Sequence, residues 1–163
     1  MAKRKIGPTA SFKDGSAYIA QLEKLEANVP EIVGKAIFPA AALVADEIQK
    51  EISSLRTDES GKRGTLNAKQ RAGLHKSLGV AKLQQDGKLT NVKIGWDGYN
   101  DIKTKRWPNG QPNQMIARSI ERGTSFMKAN PFVKRAVSRT RKAATAEMQN
   151  VLDSEIEKIM KKE

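Results

Sequence analysis

The feature that most constrains the fold is an apolar stripe in the last part of the chain. Val133, Val137, Ala144, Met148, Val151 and Ile159 recur at helical spacing, and Leu152 and Ile156 widen the stripe. Residues three, four or seven positions apart share one face of a helix, so the pattern predicts a long amphipathic helix that must bury one side. Asn130-Pro131 reads as its start, a capping residue followed by proline at the first helical position, where the missing N–H would be unpaired in any case. The rest of the chain has to supply the surface this helix covers. A length of 163 residues is enough for one core of ordinary size and short for two, so one domain is expected.

A second stripe, Val33, Ile37, Ala40, Val44, Ile48 and Ile52, also steps by three or four and predicts a core-facing helix. Pro39 falls inside it and predicts a kink or a short break. Asn28 and Pro30 read as a start signal that separates it from a shorter first helix, which begins near Asp14 and carries Ile19, Leu22 and Leu25. Residues 1–13 contain Lys3, Arg4, Lys5, Gly7 and Pro8, with too few apolar side chains to offset the entropy of ordering them. They are expected to form a flexible basic arm ahead of a single domain over residues 14–163.

Residues 56–65 are polar and glycine-bearing without periodicity, which predicts a mobile loop. Leu78, Val80 and Leu83 then lead to Asp86-Gly87, a dipeptide suited to a tight turn, and Val92, Ile94 and Trp96 alternate with polar or small residues beyond it. A β-hairpin with one buried face is expected. A second mobile loop is placed at residues 99–112, where Asn100, Trp107-Pro108 and Asn109-Gly110 flank the basic Lys103, Lys105 and Arg106. Met115, Ile116 and Ile120 fit a short helix or a strand that ends at Gly123. The expected class is α+β: two N-terminal helices, a small antiparallel sheet built on the hairpin, and a long C-terminal helix packed on the sheet.

Aromatic residues make up 5% and hydrophobics 38%, so the core has to be assembled mainly from Ala, Val, Ile and Leu. There is no cysteine, which excludes disulfides, thiolate metal sites and a thiol nucleophile. His75 is the single histidine and reads as an ordinary polar residue, which leaves the usual triads and zinc sites without their side chains. Asp46, Glu47 and Glu51 sit at helical spacing around Lys50 and read as a solvated helix face. Asp58, Glu59 and the glycines at 61 and 64 do not fit a calcium loop or a phosphate loop. A protein without catalytic activity, metal or cofactor is expected. The basic opening is not followed by an apolar stretch of signal-peptide length, and residues 36–45, the longest weakly polar run, cover about half a membrane span. A soluble protein with no membrane partner follows.

Thirty Lys and Arg residues against eighteen Asp and Glu give a formal charge of +12, which points to a polyanionic or acidic partner. Between residues 118 and 142 the cations are Arg118, Arg122, Lys128, Lys134, Arg135, Arg139, Arg141 and Lys142, against Glu121 alone. Such a surface would screen DNA phosphates without reading bases, or meet an acidic protein. Aromatic residues are too scarce for a single-strand stacking platform.

Three segments carry a resemblance. Ala72-Gly73-Leu74-His75-Lys76-Ser77-Leu78, then Ile120-Glu121-Arg122-Gly123-Thr124-Ser125, then Asn130-Pro131-Phe132-Val133-Lys134-Arg135-Ala136 are similar, in that order, to the pattern of the "gp ten-like" tail-component family of tailed bacteriophages. The likeness spans about residues 30–160. Leu78 stands for the usual Ile and Val133 for Leu, the loop before Pro112 is longer, and Arg122 replaces an aromatic. The resemblance implies a neck or tail-completion protein that joins head to tail: a homo-oligomeric ring, of six copies to match a tail tube, set between head connector, adaptor or stopper proteins and tail terminator or tube proteins. Genomic DNA would pass through its lumen, and the protein would reside in the virion after assembly in the host cytoplasm. Gly73, Leu74, Ser77, Glu121, Gly123, Thr124, Ser125, Pro131 and Phe132 are its fold or assembly residues. On their own chemistry these residues fix the fold rather than hold a ligand: Gly123 allows backbone that a β-carbon would obstruct, Thr124 and Ser125 pair with nearby backbone, and Phe132 anchors a first turn. The alternative function is a basic protein that binds duplex DNA.

Overall fold

A computed structural model describes residues 16–87 and 89–161. The arm expected at residues 1–13, and Asp14 as a helix start, lie outside the described residues. Among the described residues, four helices and two small antiparallel strand pairs form an α+β fold. The first helix, α1, runs unbroken over Ser16–Ser54 with Pro30 and Pro39 inside it, so the expected pair of N-terminal helices is corrected to one. A proline removes one backbone hydrogen bond and costs about 3 kcal/mol in a helix interior. Here both flanks of each proline pack on the same long partner helix, α4 (Phe132–Met160), and the helix continues through both. Asn28 does not cap a second helix. Its side-chain amide donates to the carbonyl of Lys24 at 2.7 Å, within the same helix.

Residues 68–77, for which the sequence gives no helical stripe, form a short helix, α2 (Ala68–Ser77). A capping box starts it: Gln70 N–H donates to Asn67 Oδ1 at 2.8 Å and Asn67 N–H to Gln70 Oε1 at 3.0 Å. Leu74 is its one buried residue. The hairpin is present and divides into two ladders. Strand β1 (Leu78–Val80) pairs with β4 (Ile94–Trp96) in the register Leu78 to Trp96, and β2 (Gln84–Asp86) pairs with β3 (Leu89–Asn91). Gly87 turns at the tip with φ of 58°. The inner ladder lies against the core through Leu78, Ile94 and Trp96, while the outer one is largely exposed. The short segment after residue 112 is a helix, α3 (Asn113–Arg122), ended by Gly123 at φ of 75°.

The C-terminal helix packs along α1 and not on the sheet, which corrects the expected architecture. Strands of three residues offer too little apolar surface to seat so long a helix, whereas α1 offers a continuous side. The two helices run antiparallel: Gln21 donates to the carbonyl of Met160 at 3.2 Å at one end, and Arg135 reaches Glu51 at the other. Contact between α4 and the strands centres on its first turn, where the Phe132 and Trp96 rings lie 5.8 Å apart. The buried side of α4 is Phe132, Ala136 and Ala144, and Val137, read as part of the core stripe, lies at the surface.

The core gathers Ile48, Ile52, Leu55, Leu66, Leu74, Ile116, Ile120 and Phe132 where the C-terminal half of α1 meets α2, α3 and the start of α4. We call this part the head. Among the described residues of α1 none before Ile32 is buried, and none of α4 after Ala144. The two helix ends therefore leave the head as a paired arm. By length and composition α1 would be able to span a membrane. A helix at the side of a packed core passes that test equally, and this one places Glu51 with Ile48 and Ile52 against the head.

Candidate functional site

Residues 120–125 and 130–136, two of the three segments singled out in the sequence, meet at one joint of the head. Glu121, the last residue but one of α3, points across to the start of α4. Val133 N–H donates to its Oε2 at 2.9 Å and Lys134 N–H to its Oε1 at 3.1 Å. Two of the unpaired amides of the α4 N-terminus are thereby satisfied by a carboxylate, which also suits the positive end of the helix dipole. Asn130 was the expected cap. Its backbone N–H instead donates to the Ile120 carbonyl at 2.8 Å, its side chain accepts from Arg135, and Pro131 stands at the cap position without a side-chain bond.

Between the helices, Gly123 turns the chain where a β-carbon would come within 2.8 Å of Ala129 N and Met127 O. Thr124 Oγ1 accepts from the N–H groups of Phe126 and Met127, and Ser125 is exposed. Phe132 then enters the core fully buried. In α2, a β-carbon at Gly73 would meet Asn113 Oδ1 at 2.7 Å and Asn100 Cβ at 2.9 Å, so glycine lets the helix approach both. Leu74 is fully buried, its carbonyl accepts from Trp96 Nε1 at 3.0 Å, and Ser77 Oγ donates to the Gly73 carbonyl. Each of these contacts locks a helix or loop end.

Both long loops are fastened to this frame. In loop 56–65 the Arg63 guanidinium lies over the Phe126 ring, 3.3 Å from its centroid, and Gly64 passes so close to the Phe126 carbonyl that a β-carbon would fall 2.0 Å from it. Ser60 hydrogen bonds hold the Asp58 carboxyl below its ordinary range. In loop 99–112 the buried Asn100 accepts from Ile102 N–H and Gln111 N–H and donates to the Gln111 carbonyl, which closes the neck of the loop. Lys103, Lys105 and Arg106 are exposed beyond it.

The eight cations expected to form one surface divide into two sets. Arg135 places Nε and Nη2 2.9 and 2.8 Å from Glu51 Oε2, and Arg139 reaches Glu51 Oε1 and Glu47. Glu51 is only 5% exposed, so the reading of residues 46–51 as a solvated face is corrected for Glu51. A carboxylate on the core side of α1 needs fixed partners, and α4 supplies both. Lys50, and then Arg139, hold the Glu47 carboxyl below its ordinary range. Arg118, Arg122, Lys128, Lys134, Arg141 and Lys142 are exposed, and none has an ion-pair partner among the described residues. Arg118 and Arg122 rim a groove of about 420 Å³ that Trp96, Ala117 and Val133 help line. On the opposite side of α3, a cleft of about 640 Å³ opens between Leu55, Thr65, Ile120 and Lys128. No cluster of acidic residues and histidine suited to a metal occurs among the described residues.

Glu51 and Asn67 are the residues that sequence reasoning missed. The signal for Glu51 was its place between Ile48 and Ile52 on the core stripe, and for Asn67 the Gln three positions on. None of the known protein families, curated proteins or solved structures compared with the chain matches it.

Proposed function

We propose that the chain is a structural, non-enzymatic subunit of the neck of a tailed bacteriophage, a tail-completion protein that forms a ring between head connector and tail. The observation that carries this reading is the joint around Glu121, Gly123 and Phe132. Two of the three segments that resemble the tail-component family meet there as a fold-fixing unit, with Glu121 and Phe132 spent on backbone capping and packing. A protein whose distinctive residues hold its own elements in place, and which presents a charged head and a paired helical arm, is built to be stacked against neighbours. On this reading the partners are further copies, six to a ring, with connector, adaptor or stopper proteins on one side and terminator or tube proteins on the other. It works in the virion after assembly in the host cytoplasm.

Duplex DNA is the second reading, favoured by the six exposed cations at residues 118–142 that lack ion-pair partners among the described residues. They would screen phosphates without base readout. The two readings part in one experiment: negative-stain imaging and light scattering of the purified protein, alone and with duplex DNA. Rings formed without DNA support the neck subunit. A small species that gains mass only with DNA, and only at low salt, supports the alternative.

A further inference from the structure

Among the described residues charge is sorted along the helix pair. Residues 16–31 carry three glutamates against one lysine, and residues 147–161 carry one aspartate and three glutamates against two lysines. These segments lie side by side as the arm, joined by the Gln21 to Met160 hydrogen bond and by Lys35, which bridges Glu31 and Glu155. Over these described residues the arm is thus acidic in a chain whose formal charge is +12, with Lys3, Arg4, Lys5 and Lys13 against Asp14 in the sequence that precedes it. Glu23, Glu26 and Asp153 are exposed there without ion-pair partners among the described residues.

The arm also shows apolar surface. Tyr18, Leu22 and Val29 are spaced four and seven residues apart, hence on one face of α1, and they are 58%, 43% and 45% exposed. Glu26 lies one turn from Leu22, so acidic and apolar groups adjoin. The head carries the complement: a groove with Trp96 and Val133 among its lining and Arg118 and Arg122 on its rim, continued along α4 by the exposed Lys134, Arg141 and Lys142.

We infer that the acidic arm of one copy docks in the Arg118–Arg122 groove of the next, a head-to-tail contact between identical chains. The interface is heterologous, with different patches on its two sides, so repetition closes a ring if the rotation per copy allows it. The inference deepens the neck-ring reading and rests on it for the partner, while the contact itself is argued from charge complementarity and the adjoining apolar groups.

Two charge-reversed variants test it, Glu23→Lys with Glu26→Lys on the arm and Arg118→Glu with Arg122→Glu on the head, followed by analytical ultracentrifugation at two salt concentrations. All four positions are exposed, and circular dichroism melts verify folding, with Arg118→Gln plus Arg122→Gln as a milder head variant. Each reversed variant alone should associate about tenfold more weakly than the parent chain, and an equimolar mixture should recover association, because each then finds an opposite patch. Recovery on mixing shows that arm and head patches meet each other, and species larger than a dimer distinguish a head-to-tail contact from a reciprocal two-fold one.

If the parent chain forms rings and neither reversal weakens them, the inference fails while the ring reading stands. A parent chain that stays monomeric at both salt concentrations overturns both. If the head variant loses duplex DNA binding but associates as the parent does, the groove serves DNA and the inference is again overturned.

Discussion

The head and the arm are built from the same two helices, yet they are stabilised in different ways. In the head, α1 and α4 enclose Ile48, Ile52 and Phe132 together with side chains from α2 and α3, and the one buried carboxylate, Glu51, is held by two arginines. Along the arm the same helices meet chiefly each other, with Leu83 of the hairpin reaching α1 at Gly34. Their ion pairs, Lys35 with Glu155 and Lys158 with Glu155, lie nearer solvent, and Tyr18, Leu22 and Val29 stay uncovered. Burial of large side chains from several elements specifies one geometry, whereas a two-helix contact leaves a face open for another chain. The head therefore fixes the fold, and the arm is the part that the proposed ring would use for assembly.

Substitutions should separate these regions. The largest effect is expected for Phe132→Ala, which empties a fully buried site at the joint and should cost about 3–5 kcal/mol in chemical denaturation. Glu51→Ala comes next. It strips Arg135 and Arg139 of a shared acceptor, and because both guanidinium groups retain solvent contact the loss should be about 2 kcal/mol, with Glu51→Gln retaining part of it. Glu121→Ala removes the borrowed cap of α4 and should cost about 1 kcal/mol. Amide exchange at Val133 and Lys134 should quicken more in this variant than elsewhere in α4.

The smallest effect belongs to the arm and depends on pH. Lys158, and after it Lys35, hold Glu155 below its ordinary value of 4.5. A depressed carboxylate stabilises the fold fully above that value, and the contribution is lost as pH falls through the lower folded value. Lys35 is raised above 10.5, chiefly by Glu31 and then by Glu155, so its share is complete below 10.5 and is lost as pH rises through the higher folded value. Hydrogen exchange in residues 147–161 should accelerate at both extremes before the head responds. Equal acceleration in head and arm would contradict the division.

Much of this was legible where one physical signal dominated. The α4 stripe, the turn at Asp86-Gly87 and the stop at Gly123 each rest on local chemistry, and the structure places a helix, a hairpin tip and a helix end there. The misses share a cause, since each depended on a partner distant in sequence. Asn28 and Pro30 argue for a helix boundary until the packing of α4 along both flanks is known. Helix α2 buries only Leu74, so it shows no periodicity, and its one local mark was Asn67 with Gln70. Glu51 appeared solvated until Arg135 and Arg139 were seen across the helix pair, and the cap of α4 comes from Glu121, twelve residues before Val133. Of the basic surface, the sequence marked every cation but had no means of telling the two that are paired from the six that are not.

The central claim, a structural subunit that builds a closed assembly from identical copies, is tested most directly by imaging. Purified protein without DNA, at physiological salt, should appear in negative stain as closed rings of one diameter, with a single multiple of the 18.0 kDa chain mass by light scattering. A monomer or dimer whose mass changes only when duplex DNA is added, and reverts as salt is raised, would contradict the account.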